Sequence, residues 1–232
     1  MKNLQKMGGM AALVGAATNL MALVMFITLL APKGYGSDEP GQIVAFFAGN
    51  QALMRVWYEI IYLVFGASLI FLSLALHDRL KGGSPALAQA VTTIGLMWAV
   101  LVLVIGTLSM NDLSTVARLY GENPAQAATA WVTLDSVETG LGGGGGETMV
   151  SALWFLVLSW AALQAKELPR ALNYLGVLTG VAGILSVLAL PDLASVYGLG
   201  LIIWLAWLGI VLLRSNPQPE PASERMSNRE LA

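Results

Sequence analysis

Six apolar stretches, at 10–30, 56–76, 86–108, 149–163, 171–190 and 194–213, dominate this chain. A helix needs about 20 mainly apolar residues to cross a hydrocarbon core about 30 Å thick, and inside that core every backbone polar group must bond internally. The expected fold is therefore all-α: a polytopic bundle of six transmembrane helices with the lipid bilayer as its solvent. The fourth stretch is short by this measure and must take residues from its N-terminal flank. A mean hydropathy of +0.71 and 11% charged residues stand far from soluble domains, where about 25% of residues are charged. Six spans in 232 residues leave no room for a separate soluble domain.

The net charge of −2 is too small to point to nucleic acid as a partner. There is no Cys, which removes disulfides, thiolate metal sites, thioether haem attachment and S-acylation. His77 is the only histidine, so no common zinc site can be assembled, and the sequence predicts no metal and no cofactor. The N-terminal Met1 to Lys6 with its apolar run resembles a secretory signal, but the run exceeds the ~7–15 residues of such signals and lacks an Ala-x-Ala site, which predicts an uncleaved first span.

Charge sets an expected orientation. With the N-terminus in the cytoplasm, Lys2, Lys6, Arg79, Lys81, Lys166, Arg170, Arg214, Arg225 and Arg229 all fall on that side, nine of the twelve basic residues. Both termini are then cytoplasmic, and 215–232, with Pro217, Pro219 and Pro221 among charges, reads as a disordered tail. Ser84-Pro85 reads as a helix start, and Pro191-Asp192 as a tight connection between the last two spans.

The longest segment between spans, 110–148, lies on the opposite side. Asn123-Pro124 has the form of an N-cap and first turn, and 125–139 is helical in composition, with Trp131, Leu134 and Val137 placed toward one face. Behind it come Gly140 and the unbroken run Gly142, Gly143, Gly144, Gly145 and Gly146, followed by Glu147. Each Gly weakens a helix by about 0.8–1 kcal/mol relative to Ala, so the run is a hinge, a loop or a thin patch of helix held by close packing. A glycine nest before a helix is a ready anion site, but Glu147 in the first turn would repel an anion, and the Lys of a phosphate loop is missing. Gly176, Gly180 and Gly183 form a small-residue seam for helix packing, within the chain or between copies in a homo-oligomer.

The sharpest candidate for chemistry is Glu59 in the second span, with Arg55 one turn earlier and Tyr58 and Tyr62 beside it. Charges at mid-bilayer cost about 2.5–3.5 kcal/mol by insertion scales, so they are seldom idle. Glu59, Arg55, Tyr62 and the polar Asn19 of the first span are the candidates for a ligand or ion site. The competing reading is an i,i+4 pair at the membrane face. Trp154 with Trp160, and Trp204 with Trp207, are read as bundle or interface packing rather than a cofactor pocket. No catalytic set of acid, base and nucleophile stands out.

Gly49-Asn50-Gln51-Ala52-Leu53-Met54-Arg55 entering the second span, Leu74-Ala75-Leu76-His77 leaving it, and Leu168-Pro169-Arg170-Ala171-Leu172-Asn173-Tyr174-Leu175-Gly176 opening the fifth together resemble a group of uncharacterised bacterial membrane proteins, the domain of unknown function 4386. The resemblance implies the six-helix fold, covers most of 7–213, and carries no activity or catalytic residues. The glycine run departs from it. The expected role is a non-catalytic binding or accessory protein of the bacterial inner membrane, serving a lipid-like ligand or a membrane partner. The alternatives are a small-solute or ion transporter using Glu59 and Arg55, and then an intramembrane enzyme.

Overall fold

The computed structural model describes residues 2–214, and all regular structure among them is helical. The tail at 215–232 lies outside the described residues. Helix α1 (Lys2–Met25) continues through a π-helical segment, Phe26–Leu30, and a 3-10 turn, Ala31–Lys33. Two short helices follow, α2 (Pro40–Gly49) and α3 (Gln51–Tyr58); a second π-helical segment, Glu59–Val64, joins α3 to α4 (Phe65–Leu80). Then come α5 (Pro85–Glu122), α6 (Pro124–Leu141), α7 (Gly146–Ala165), α8 (Arg170–Leu188) and α9 (Leu193–Arg214). Six stretches are long and apolar enough to cross a membrane: Asn3–Lys33, Gln51–Leu80, Pro85–Glu122, Pro124–Ala165, Arg170–Leu188 and Leu193–Arg214.

Local chemistry sets the boundaries. Pro85 opens α5, where its missing N–H loses nothing, although the Ser84 side chain makes no cap bond. The Asn123 side chain does cap α6, accepting from the backbone N–H groups of Ala125 and Gln126 at 3.1 and 3.2 Å. The glycine run is the break itself: α6 stops at Leu141 and α7 starts at Gly146. Lys166 ends α7 in the left-handed conformation, at φ 56°.

Glycines let the helices approach. In α1, Gly8 abuts Ala75 of α4, and Gly9 lies against Leu213 of α9, so a methyl group at either position would collide. Gln5 ties this end together by donating to the Leu212 carbonyl at 2.8 Å. The described chain ends, Lys2 and Arg214, therefore lie at one end of the bundle, here the terminal end. Its centre is a fully buried aromatic stack, in which Trp154 contacts Trp98 and Trp204 at ring-centroid distances of 5.4 and 5.7 Å, and Phe155 meets Trp204 at 5.0 Å. Trp160 and Trp207 point outward instead.

At 38 residues, α5 is about 57 Å long at 1.5 Å per residue, well over the bilayer core. Its last turns carry a second core at the opposite end, built with α2, α3 and α6 from Val44, Phe47, Met54, Leu113, Val116 and Trp131. This annex positions the site described next.

Candidate functional site

The residues singled out in the second span do not converge. Arg55 and Glu59 are both exposed, and no ion pair joins them; the Arg55 guanidinium donates instead to the Ser114 hydroxyl of α5 at 3.3 Å. Asn19 is spent on its own helix, donating to the Gly15 carbonyl at 2.8 Å. Only Tyr62 turns inward: its side chain packs against Gly106 of α5, close enough that a methyl group there would collide, with Ser109 as its hydroxyl's neighbour. The π-helical turns begin at Glu59, leaving that carboxylate outside while Tyr58 on one side of it is buried and Tyr62 is in the annex.

The acids that do lie inside are Asp112, Glu138 and Glu147. Asp112 of α5 is only 7% exposed. Glu138 of α6 accepts a hydrogen bond from Ser109 at 2.8 Å through Oε2, while its buried Oε1 has no partner. Asp112 is the neighbouring carboxyl, and Asp135, exposed on the same helix, adds to the negative field. Further along, at the start of α7, the Glu147 carboxylate accepts the indole N–H of the fully buried Trp98. Next to it, Ser151 and Tyr197 share a hydroxyl contact of 2.5 Å.

Aromatic rings cluster in the annex, and the tyrosines among them lie near Glu138. Tyr58 and Tyr62 lie with ring centroids 5.9 Å apart, Tyr35 meets Trp57 edge-on at 5.5 Å, and Phe47 meets Trp131 edge-on at 4.8 Å. Burial pushes the Tyr35 hydroxyl up to about 12, so it stays protonated at physiological pH, with Tyr58 as its hydrogen-bonding neighbour. Among the described residues the ion pairs join Arg79 to Glu167, Lys81 to Asp78 and Arg118 to Glu122, and none involves Asp112, Glu138 or Glu147. No group of three His, Asp or Glu among the described residues has the geometry to hold a metal ion.

Sequence reasoning passed over Asp112 and Glu138, yet a signal for Glu138 was present. Ala127, Trp131, Leu134 and Glu138 follow i, i+4, i+7, i+11 and share one face of α6. That face is the inward one; Val137, expected on it, is 52% exposed because it lies about 100° round the helix from Glu138. Ser109 and Asp112 are likewise three apart on α5. The seam glycines of α8 each touch a neighbour: Gly176 meets Ser159 and Trp204, Gly180 meets the Ala152 carbonyl and Leu156, and Gly183 meets Tyr197 and Ala152. His77 is half-buried and shares a hydrogen bond of 3.0 Å with Thr92.

The family profile described as Domain of unknown function (DUF4386) matches residues 7–215. The chain belongs to the DUF4386 family. In this DUF4386 protein the matched region takes in the first apolar span from Met7 on, the other five entire, the annex and the three interior acids. No curated protein and no solved structure matches the chain.

Proposed function

We propose that this protein is a non-catalytic binding or accessory protein of the bacterial inner membrane, with both termini cytoplasmic, and that its ligand is lipid-like with a positively charged head group. The observation that carries this reading is the pair of interior carboxyls, Asp112 and Glu138, that the annex brings together without an ion pair among the described residues. Buried charges in proteins are normally paired or coordinate a metal, and an ionisable group within a membrane bundle is a functional site by default. Here two neighbouring carboxyls, hydrogen-bonded to one another, stand near the tyrosines Tyr35, Tyr58 and Tyr62. Aromatic faces attract an ammonium group by about 0.5–2 kcal/mol each, so these tyrosines favour a cation. An apolar tail suits a site whose surroundings are lipid and apolar side chains.

The experiment uses the full chain in nanodiscs and a long-chain quaternary ammonium amphiphile as probe, with the sulfate amphiphile of equal chain length as control. Retention of the ammonium probe over the sulfate, measured by native mass spectrometry, is expected to fall at least tenfold in the Glu138→Gln, Asp112→Asn double variant. Equal retention by the wild type and the double variant would overturn the reading.

A second reading, transport of a small cation, draws support from the helix irregularities at this level. The π-helical segments Phe26–Leu30 and Glu59–Val64 and the glycine break Gly142–Gly145 are the features that helices show at sites of ion passage. Cation flux into proteoliposomes that disappears in Glu138→Gln would promote it; flux lost in Glu59→Gln alone would return attention to the second-span carboxylate.

A further inference from the structure

Asp112 of α5 and Glu138 of α6, the carboxyls of the proposed site, are hydrogen-bonded to one another. An ionised carboxylate only accepts hydrogen bonds, so two of them have no donor between them and the contact requires a proton on one of the pair. The neighbouring donors serve other oxygens. The Ser109 hydroxyl donates to Glu138 Oε2 at 2.8 Å, and the Asn111 amide donates to Asp112 Oδ1 at 3.4 Å. Among the described residues none donates to Glu138 Oε1, which is buried. A proton held between the carboxyls supplies the donor that this oxygen lacks.

The surroundings favour one negative charge over two. Tyr58 of α3, Tyr62 of the π-helical segment and Tyr35 from the segment before α2 stand near Glu138, and Asp135 on α6 adds a further negative charge. Charged groups on the same elements are engaged or turned away. Arg55 of α3 is exposed and donates to Ser114, Glu59 is exposed, Arg118 pairs with Glu122 on α5, and Glu147 at the start of α7 accepts from Trp98. Ionising both carboxyls would place like charges in contact away from water, and close carboxyl pairs hold one proton between them for that reason. A cation seated against the pair reverses the balance, because it favours the ionised form of each.

We infer that Asp112 and Glu138 share a single proton and that a cation bound at the annex displaces it, so that the site exchanges one proton for one monovalent cation. This rests on the cation-binding reading proposed above and adds its regulation: binding weakens as the pH falls. The charges balance. The unliganded pair is a carboxylic acid beside a carboxylate, with one negative charge; the occupied pair is two carboxylates with one cation, again one negative charge, and the proton leaves to solvent. Occupancy therefore buries no additional net charge.

The test uses the full chain in nanodiscs with the quaternary ammonium amphiphile as probe. Infrared difference spectra at neutral pH are taken between the wild type and the single variants Glu138→Gln and Asp112→Asn, which cancels carboxyls outside the pair, Glu147 included. One protonated carboxyl is expected in the wild type and in neither variant. Adding the probe should remove that band. Calorimetry in buffers of different ionisation heat should count about one proton released per probe bound, so that affinity rises about tenfold per pH unit near neutrality. In Glu138→Gln, where the amide is a permanent donor, the weaker binding that remains should not change with pH. No protonated carboxyl in the wild type, or probe bound with no proton released, would overturn the inference with cation binding intact. A wild type that retains no ammonium probe would sink the proposed function instead, and the infrared band of the unliganded protein then decides by itself whether the proton is shared. Loss of the band on adding the probe is read on the wild type alone, so a variant that fails to fold leaves the test decisive.

Discussion

Two regions of the bundle, its centre and the annex, are held together in different ways. Around Trp98, Trp154 and Trp204 the rings are fully buried, and glycines such as Gly95 and Gly176 are seats for a neighbouring hydroxyl or indole rather than points of flexibility. In the annex the helices are short, two π-helical segments interrupt the spans, and carboxyls stand among the rings. Between lipid-exposed helices there is little hydrophobic drive, because lipid tails are as apolar as leucine, and close packing must supply the stability. The first region is built for that purpose. Among the described residues both regions hold buried side-chain atoms without a hydrogen-bond partner, Ser73, Ser159 and the Trp154 indole N–H in the first and Glu138 in the second, but only the second brings two carboxyls together.

The comparison breaks most readily at Trp154. Trp154→Ala should cost about 3 kcal/mol or more, as truncation of a buried aromatic does, and lower the thermal midpoint of the purified protein in detergent more than any single change in the annex. A midpoint within error of wild type would remove the claim that the indole stack holds the bundle.

Gly180→Ala should cost about 1–3 kcal/mol, because the added methyl would stand 2.8 Å from the Ala152 carbonyl, backbone that cannot step aside. Measured by the same unfolding assay, a neutral outcome would mean that α7 and α8 are less tightly fitted than described.

Glu138→Gln should run the other way, gaining about 1 kcal/mol by removing a buried carboxylate oxygen that has no partner and giving Asp112 an amide donor. Cation binding should fall in the same variant. Stability and binding lost together would recast Glu138 as a structural residue.

The smallest effect is expected at Gly143, which has nothing within 4 Å of a methyl group built on it. Gly143→Ala should raise stability by at most about 0.5 kcal/mol, through reduced freedom of the unfolded chain. A large loss there would show that the glycine break needs every glycine, unlike the contact-free loop described.

The six spans were legible from the chain alone, because crossing a bilayer is a constraint of length and apolarity that acts on each segment by itself. The Asn123-Pro124 helix start was legible for a similar reason: a cap acts through bonds to residues two and three positions on. The glycine run announced a break, but five low-propensity residues in a row cannot distinguish a loop from a packed helix; the backbone resolves it as the turn between α6 and α7.

The site was different. A carboxylate in the middle of an apolar span drew attention to Glu59, yet one face of a helix meets protein and another meets lipid, and sequence hydropathy cannot tell them apart when both are apolar. The π-helical turns from Glu59 to Val64 left that carboxylate outside and Tyr62 within. Asp112 and Glu138, separated by 26 positions, face each other only because α6 folds back along the overlong α5. Membership of the bilayer was therefore determined segment by segment, through the free energy of transferring each stretch into lipid. Which acids lie inside was decided by the tertiary structure, because burial of a side chain depends on what the neighbouring helices bring to it.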